Sequence, residues 1–185
     1  MTHPLYVRAA RPGDLDTFIR WREETAAWLR TRHGTPQWST PQDLGRRRNL
    51  LDQGATVVAM LEPDGEPVGT CTVLPGGSDR LWTARELAVP ARYLCKLNVD
   101  RRFAGQAIGA RMALWARSKA AEAGVGVIRL SAWSTNTCLH AYYRSHGWRH
   151  LRTVPGIRSG ALFEASTLHT AEPGVREIGL IHLPG

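Results

Sequence analysis

Two spacings of apolar residues alternate along the chain, and they predict its elements. Residues 5–10, "LYVRAA", are β-branched and aromatic enough for a first strand. The period then lengthens. Leu15, Phe18, Ile19, Ala26 and Leu29 recur at helical intervals, with Asp14 as a cap and Gly34 as a stop. A second, short helix is expected from Thr40-Pro41 through "QDLGRRRNLLDQ" to Gly54. "ATVVAMLE" and "PVGTCTVL" then read as two strands, and the Asp-Gly pair in "PDGE" between them marks a hairpin.

Residues 91–99, "ARYLCKLNV", are apolar enough for a central strand. A helix follows over about residues 107–123, with Ile108, Met112, Leu114 and Trp115 inward and Gly124 ending it. "VIRLSAW" predicts another strand, "TCLHAYYRSH" a short helix closed by Gly147, and "WRHLRTV" a strand again. In the tail, residues 156–185, "ALFEAST" and "REIGLIHL" are expected to complete the sheet at its edge. The order β-α-α-β-β-β-α-β-α-β-β gives a mixed α/β class, a sheet with helices on its faces. No repeat, linker or low-complexity stretch interrupts it, so residues 1–185 are read as one domain.

With 185 residues and 43% hydrophobic content, the chain can bury a substantial core. It has no run of about 18 apolar residues to cross a membrane, and its start lacks the basic-then-apolar order of a secretory signal. Cys71, Cys95 and Cys138 lie far apart without a CxxC pair, which reads as reduced, buried thiols in the cytoplasm. Charge adds more. Twenty-four Lys and Arg against sixteen Asp and Glu give +8, and all but two of the cations are arginine. Arginine forks suit phosphate and carboxylate, and such a field attracts polyanions, nucleotide cofactors and nucleic acid included. A soluble arginine-rich surface is the plainer reading. "RRR" at residues 46–48 is too short for a nucleic-acid tail.

"VDRRFAGQAIG", residues 99–109, sits where the central strand passes into a helix. The first amides of a helix have no intrahelical partner, and the helix dipole adds about half a positive charge there. Phosphate is a natural guest. Gly105 and Gly109 permit close backbone approach, and Arg101 and Arg102 supply cations. A helix cap without a ligand is the alternative for this stretch taken alone.

One strand later comes "NTCLHAYYRSHGW", residues 136–148. Together the two stretches resemble the GNAT acyltransferase superfamily. The family's nucleotide signature, Val, four residues, then Gln/Arg-x-x-Gly-x-Gly/Ala, falls on Val99, Ala104, Ala107 and Gly109. Its later Asn, Ala, Tyr, Gly-Phe segment falls on Asn136, Leu139, Tyr143, Gly147 and Trp148. "YVRAARPGDLDTF" resembles the family's first strand and helix, so the likeness spans residues 5–155.

The resemblance implies a mostly antiparallel twisted sheet with a V-shaped splay between two central parallel strands. Acetyl-CoA or another acyl-CoA would lie in that splay. Leu97, Asn98 and Val99 would pair with the pantetheine arm, and one amide would polarise the thioester carbonyl. The loop of Arg101, Arg102, Ala104, Gly105, Gln106, Ala107, Ile108, Gly109 and Ala110 would hold the pyrophosphate. Asn136 would bind the cofactor arm or hold its own loop. Tyr143 would protonate the leaving thiolate after direct attack by an amine; a core aromatic is the alternative.

The sequence departs from the family at two loop positions. Ala104 lacks the side chain that lines the pyrophosphate, for which Arg101 or Arg102 could substitute. Ala107 stands where glycine is usual. Alanine fits the right-handed conformation expected there, so the helix start is expected to survive with a looser phosphate fit.

Glu86, ahead of the central strand, is a candidate to take the amine's proton. Trp28 and Trp38 fall where the acceptor cleft is expected and suggest aromatic walls, or packing. Arg144 and His146 could reach the outer phosphates. His140, His146, His150 and Cys138 lack metal-ligand spacing, and no metal is expected. The acceptor is expected to be a small-molecule primary amine. Rival readings are a transferase using aminoacyl-tRNA or a carrier protein, and a module that binds acyl-CoA without turnover. The chain is expected as a monomer, or as a homodimer formed through the tail strands.

Overall fold

The computed structural model describes residues 3–170 and 172–185. β1 (Leu5–Ala9) leads through a 3-10 turn into α1 (Leu15–His33), followed by α2 (Leu44–Asp52). Asp14 occupies the position before α1 but does not cap it. Its carboxylate is taken by Arg8 at 2.8 and 2.9 Å and by the Arg11 amide at 2.7 Å. Although burial raises its pKa, these partners hold it below the ordinary carboxylate range. The stop at Gly34 is as expected, with φ 62° in the left-handed region. Asp43, not the Thr40-Pro41 step, caps α2 by accepting the Arg46 amide at 2.9 Å.

β2 (Thr56–Met60) and β3 (Pro67–Leu74) form the expected antiparallel hairpin. A short helix that periodicity did not reveal, α3 (Ala84–Leu87), precedes β4 (Arg92–Val99). Then follow α4 (Ile108–Glu122), β5 (Val127–Ala132), α5 (Thr137–Ser145) and β6 (Arg149–Thr153). β7 (Ala161–Ser166) and β8 (Val175–Glu177) end the series.

The strands form one sheet in the order β6-β7-β5-β4-β3-β2-β1-β8. Among the described strands only β4–β5 and β1–β8 are parallel; the other neighbours are antiparallel. The tail strands divide. β8 lies on the edge as expected, but β7 lies inside the sheet between β5 and β6. Its consecutive residues Ala161, Leu162 and Phe163 are all buried, as a strand covered on both faces requires.

Strand alternation assigns the helices to opposite faces. Val57 and Ala59 share a core with Ile108, Met112 and Trp115 of α4, whereas Val58 between them packs with Phe18 and Trp21 of α1 and Leu51 of α2. Each fully buried aliphatic or phenyl side chain contributes about 1.5–3 kcal/mol. Leu114, expected inward, is half-buried at the border of the α4 stripe. Helices thus flank a mixed, mostly antiparallel open sheet, the expected class. None of the described helices is long and apolar enough to cross a membrane.

Candidate active site

β4 and β5 pair at only two positions, Arg92 with Ile128 and Tyr93 with Arg129. Beyond these the strands part, and a cleft of about 890 Å³ opens between them, lined by residues 94–99 of β4 and 130–132 of β5. A separated strand edge presents amides and carbonyls with no ladder partner on that side. An extended polar chain can use them as an added strand would.

β4 also bends. Thr70 pairs with Asn98 and Thr72 with Cys95, so two β4 residues, Lys96 and Leu97, oppose Cys71 alone. Lys96 takes φ 54° to make this bulge. The extra residue re-aims the backbone toward the cleft and brings the Lys96 side chain to its lining.

At the end of β4, Asp100 fixes the loop. Its buried carboxylate accepts the Trp21 indole N–H at 3.1 Å, the Arg102 amide at 2.9 Å and the Arg102 guanidinium at 2.7 Å. Burial raises its pKa, yet Arg102 holds it below the usual range. Arg102 is therefore committed to Asp100 and, unlike Arg101, does not line the cleft. Arg101 lies with its guanidinium 3.7 Å from the ring centroid of Trp28.

Farther along, Gly105 has φ 85° and Ala107 has φ 57°. The Ala107 conformation corrects the expectation of a right-handed residue: this alanine sits in the left-handed region, at a cost of roughly 1–2 kcal/mol relative to its preferred state. Left-handed residues alternating through a loop turn amides toward a common point, a concavity suited to an anion. The first α4 hydrogen bond runs from the Arg111 amide to Ala107. The amides of Ile108, Gly109 and Ala110 ahead of it lack intrahelical partners. Ala104, Gly105, Ala107, Ile108 and Gly109 line the cleft, but Gln106 and Ala110 do not. This donor set, amides and a helix N-terminus without an acid, fits a pyrophosphate.

Tyr143 faces the splay from α5. Its hydroxyl has no hydrogen-bond partner among the described residues, and burial pushes its pKa well above the ordinary phenol value. It stays protonated at neutral pH. Tyr142 also lines the cleft, with its hydroxyl beside Gly109. Asn136 caps α5 by accepting the Leu139 amide at 3.0 Å, while its amide nitrogen donates to Gln37 at 2.9 Å. It holds α5 to the chain after α1.

Glu86 is not at the site. It closes a capping box with Thr83 and ion-pairs with Arg152, which lowers its pKa to about 2. A carboxylate so bound is a poor base, and it does not line the cleft. Arg144 does not line it either, although His146 does. His140 Nε2 meets the Trp133 carbonyl at 2.8 Å, and His146 Nδ1 meets that of Tyr142 at 2.8 Å.

Trp28 and Trp38 both line the cleft, with Phe18, Arg22, Thr25 and Leu29 along the same α1 wall. Arg22 went unnoticed in the sequence. Yet positions 18, 22, 25 and 29 form one helical stripe, so the stripe itself was the available signal. Lys96 left a fainter one, a cation in the middle of a strand that is otherwise apolar between Tyr93 and Leu97.

This architecture has known counterparts. The Acetyltransferase (GNAT) family model matches residues 17–148. The uncharacterized N-acetyltransferase YesJ of Bacillus subtilis (strain 168) is 33% identical over 132 residues, covering 69% of this chain and 72% of that protein. A GNAT-family acetyltransferase of Listeria monocytogenes 4b F2365 superposes with TM-score 0.73 at 24% identity, over 88% of this chain and 94% of that one. PaiA N-acetyltransferase of Thermoplasma acidophilum, solved in complex with coenzyme A, superposes with TM-score 0.61 at 15% identity, over 88% and 98% of the two chains. With a splayed sheet, a helix start of unpaired amides and a tyrosine lining the splay, and with the family model matching most of its length, the chain belongs to the GNAT family of N-acetyltransferases.

Proposed function

We propose that the protein transfers an acetyl or related acyl group from acyl-CoA to the primary amine of a small molecule. One observation carries the reading: a protonated, unpartnered Tyr143 lines the same splay as the free edge of β4 and the amide-rich loop at residues 104–109. The β4 edge at Leu97–Asn98–Val99 would align the pantetheine arm, and an amide there would stabilise charge developing on the thioester oxygen. The helix start and Arg101 would hold the pyrophosphate.

Tyr143 gives its proton to the thiolate as the carbon–sulfur bond breaks and the carbon–nitrogen bond forms. The proton lost from the attacking nitrogen returns through solvent, so the count closes. Glu86 has no part in this. Unpaired Cys71, Cys95 and Cys138 support a reducing, cytoplasmic setting, although only Cys71 is buried as expected; Cys95 is half-buried and Cys138 exposed.

Thermal unfolding with acetyl-CoA and thiol release with an amine panel test the reading. A tenfold excess over the dissociation constant stabilises by about RT ln 11, roughly 1.4 kcal/mol. No shift at millimolar coenzyme A would contradict it.

The net charge of +8 favours one alternative, a charged tRNA as acceptor or donor. Activity on tRNA must fall steeply between about 50 and 200 mM salt, because each neutralised phosphate adds close to one unit of log–log slope. A flat profile excludes it.

A further inference from the structure

Among the described residues, those lining the cleft include Arg22, Arg47, Lys96 and Arg101 but no aspartate or glutamate. Arg101 belongs to the loop at the end of β4. The other three stand elsewhere: Arg22 comes from α1 and Arg47 from α2, on the sheet face opposite α4, and Lys96 from the β4 bulge. Three residues of strand, 97–99, lie between Lys96 and Asp100, where the loop begins, a reach of roughly 13 Å when extended.

This cluster is costly as it stands. Arg47 is only 8% exposed, and its Nε has no hydrogen-bond partner. Its guanidinium lies 4.9 Å from the Phe18 ring centroid, a cation–π contact that leaves its charge unneutralised. Burial lowers the pKa of Arg47, and the charge of Arg22 lowers it further. Lys96 is exposed and Arg22 half-buried, yet partial desolvation lowers the pKa of Lys96, and Arg47, Arg46 and Arg22 add to the effect. A buried cation normally has a carboxylate beside it. Here the groups in contact are apolar, like-charged or neutral: Phe18 beneath Arg47, the Thr40 carbonyl on Arg22, and the Trp38 ring 6.0 Å from Arg22. Such a cluster repels a polyamine and attracts an anion, and a guanidinium with a free N–H suits a carboxylate or phosphate oxygen.

We infer that the acceptor is an amine carrying its own anionic group, a carboxylate or a phosphate, which Arg22, Arg47 and Lys96 bind while the amine faces the splay. The inference rests on the assignment of the donor to the β4–β5 splay under the proposed function.

Matched pairs test it, with the intact protein assayed in saturating acetyl-CoA and titrated calorimetrically in the presence of coenzyme A. The probes are α-amino acids against their methyl esters, glucosamine phosphate against glucosamine, and spermidine as a cation. At least one acid-bearing member should exceed its neutral partner by about tenfold or more in affinity and in kcat/KM, since a charge-assisted hydrogen bond contributes that much. The pair that does so tells carboxylate from phosphate. Arg47→Met and, separately, Arg22→Gln should shrink that ratio by about fivefold or more. The second variant changes a less buried side chain and guards against a folding defect in the first.

Neutral amines or spermidine matching the acids, or a ratio that neither variant moves, would overturn the inference. If coenzyme A still protects the fold in those samples and neutral amines are acetylated, the transferase reading survives that failure. If the acids bind through Arg22 and Arg47 but no acyl-CoA yields thiol, the anion site stands and the transferase reading falls.

Discussion

The Tyr142 hydroxyl stands 3.5 Å from the position a Cβ would take on Gly109, so a side chain of α5 closes over the first turn of α4. Val99 Cγ2 lies at the same distance. A methyl group fits there at ordinary contact, but a longer acid does not. Gly109→Ala should keep coenzyme A affinity within about threefold, whereas Gly109→Glu should lose it, because a carboxylate then faces the phosphates. Calorimetric titration checks both. Unchanged affinity in Gly109→Glu would move the donor site away from this loop.

Ala107 predicts a gain. Glycine relieves the left-handed strain at φ 57° but adds freedom to the unfolded chain, which offsets part of the benefit. The net for Ala107→Gly is about 0.5–1 kcal/mol of added stability, a rise of roughly 1–4 °C in Tm. A fall in Tm would contradict the left-handed assignment.

The loop at residues 99–109 and the segment at residues 136–148 were legible because each is local: a strand end, a helix start and a fixed spacing lie within a dozen or so residues. The left-handed state of Ala107 was not, since alanine does not advertise a positive φ as glycine does. Nor was the cluster of Arg22, Arg47 and Lys96, which three separate elements bring together. β7 was read as a strand but not as an interior one, because pairing partners are set by long-range topology. Glu86 misled by its proximity to β4. Its true role was nonetheless written in the sequence, as Thr83-x-x-Glu86 is a capping box.

Glu86 therefore predicts stability rather than catalysis. Its folded pKa of about 2 lies below the ordinary 4.5. A depressed carboxylate contributes stability that is present above pH 4.5 and lost as pH falls from there toward 2. Glu86→Gln should cost about 1 kcal/mol at neutral pH, given partial solvent screening of the Arg152 pair. That difference should narrow through the same acidic window, while kcat at neutral pH stays within about twofold. Denaturant unfolding across pH, with one kinetic assay, checks this. A tenfold loss of kcat would restore Glu86 as the base.

Proton donation by Tyr143 is tested most directly by kcat of Tyr143→Phe at saturating acyl donor, beside coenzyme A affinity and a parallel Tyr142→Phe. The substitution keeps the ring, which packs 5.5 Å from Phe163 and 6.0 Å from Trp148 between centroids, and removes only the hydroxyl. Positioned proton transfer contributes about a hundred- to ten-thousandfold. A thiolate with a parent pKa near 8.5 is a fair leaving group, so the loss should fall at the low end, about ten- to a hundredfold in kcat with donor affinity little changed. Tyr142→Phe, whose hydroxyl adjoins Gly109 at the donor loop, should weaken donor affinity more than kcat. A Tyr143→Phe enzyme as fast as the parent would contradict the account, leaving solvent as the proton source and Tyr143 as a core aromatic.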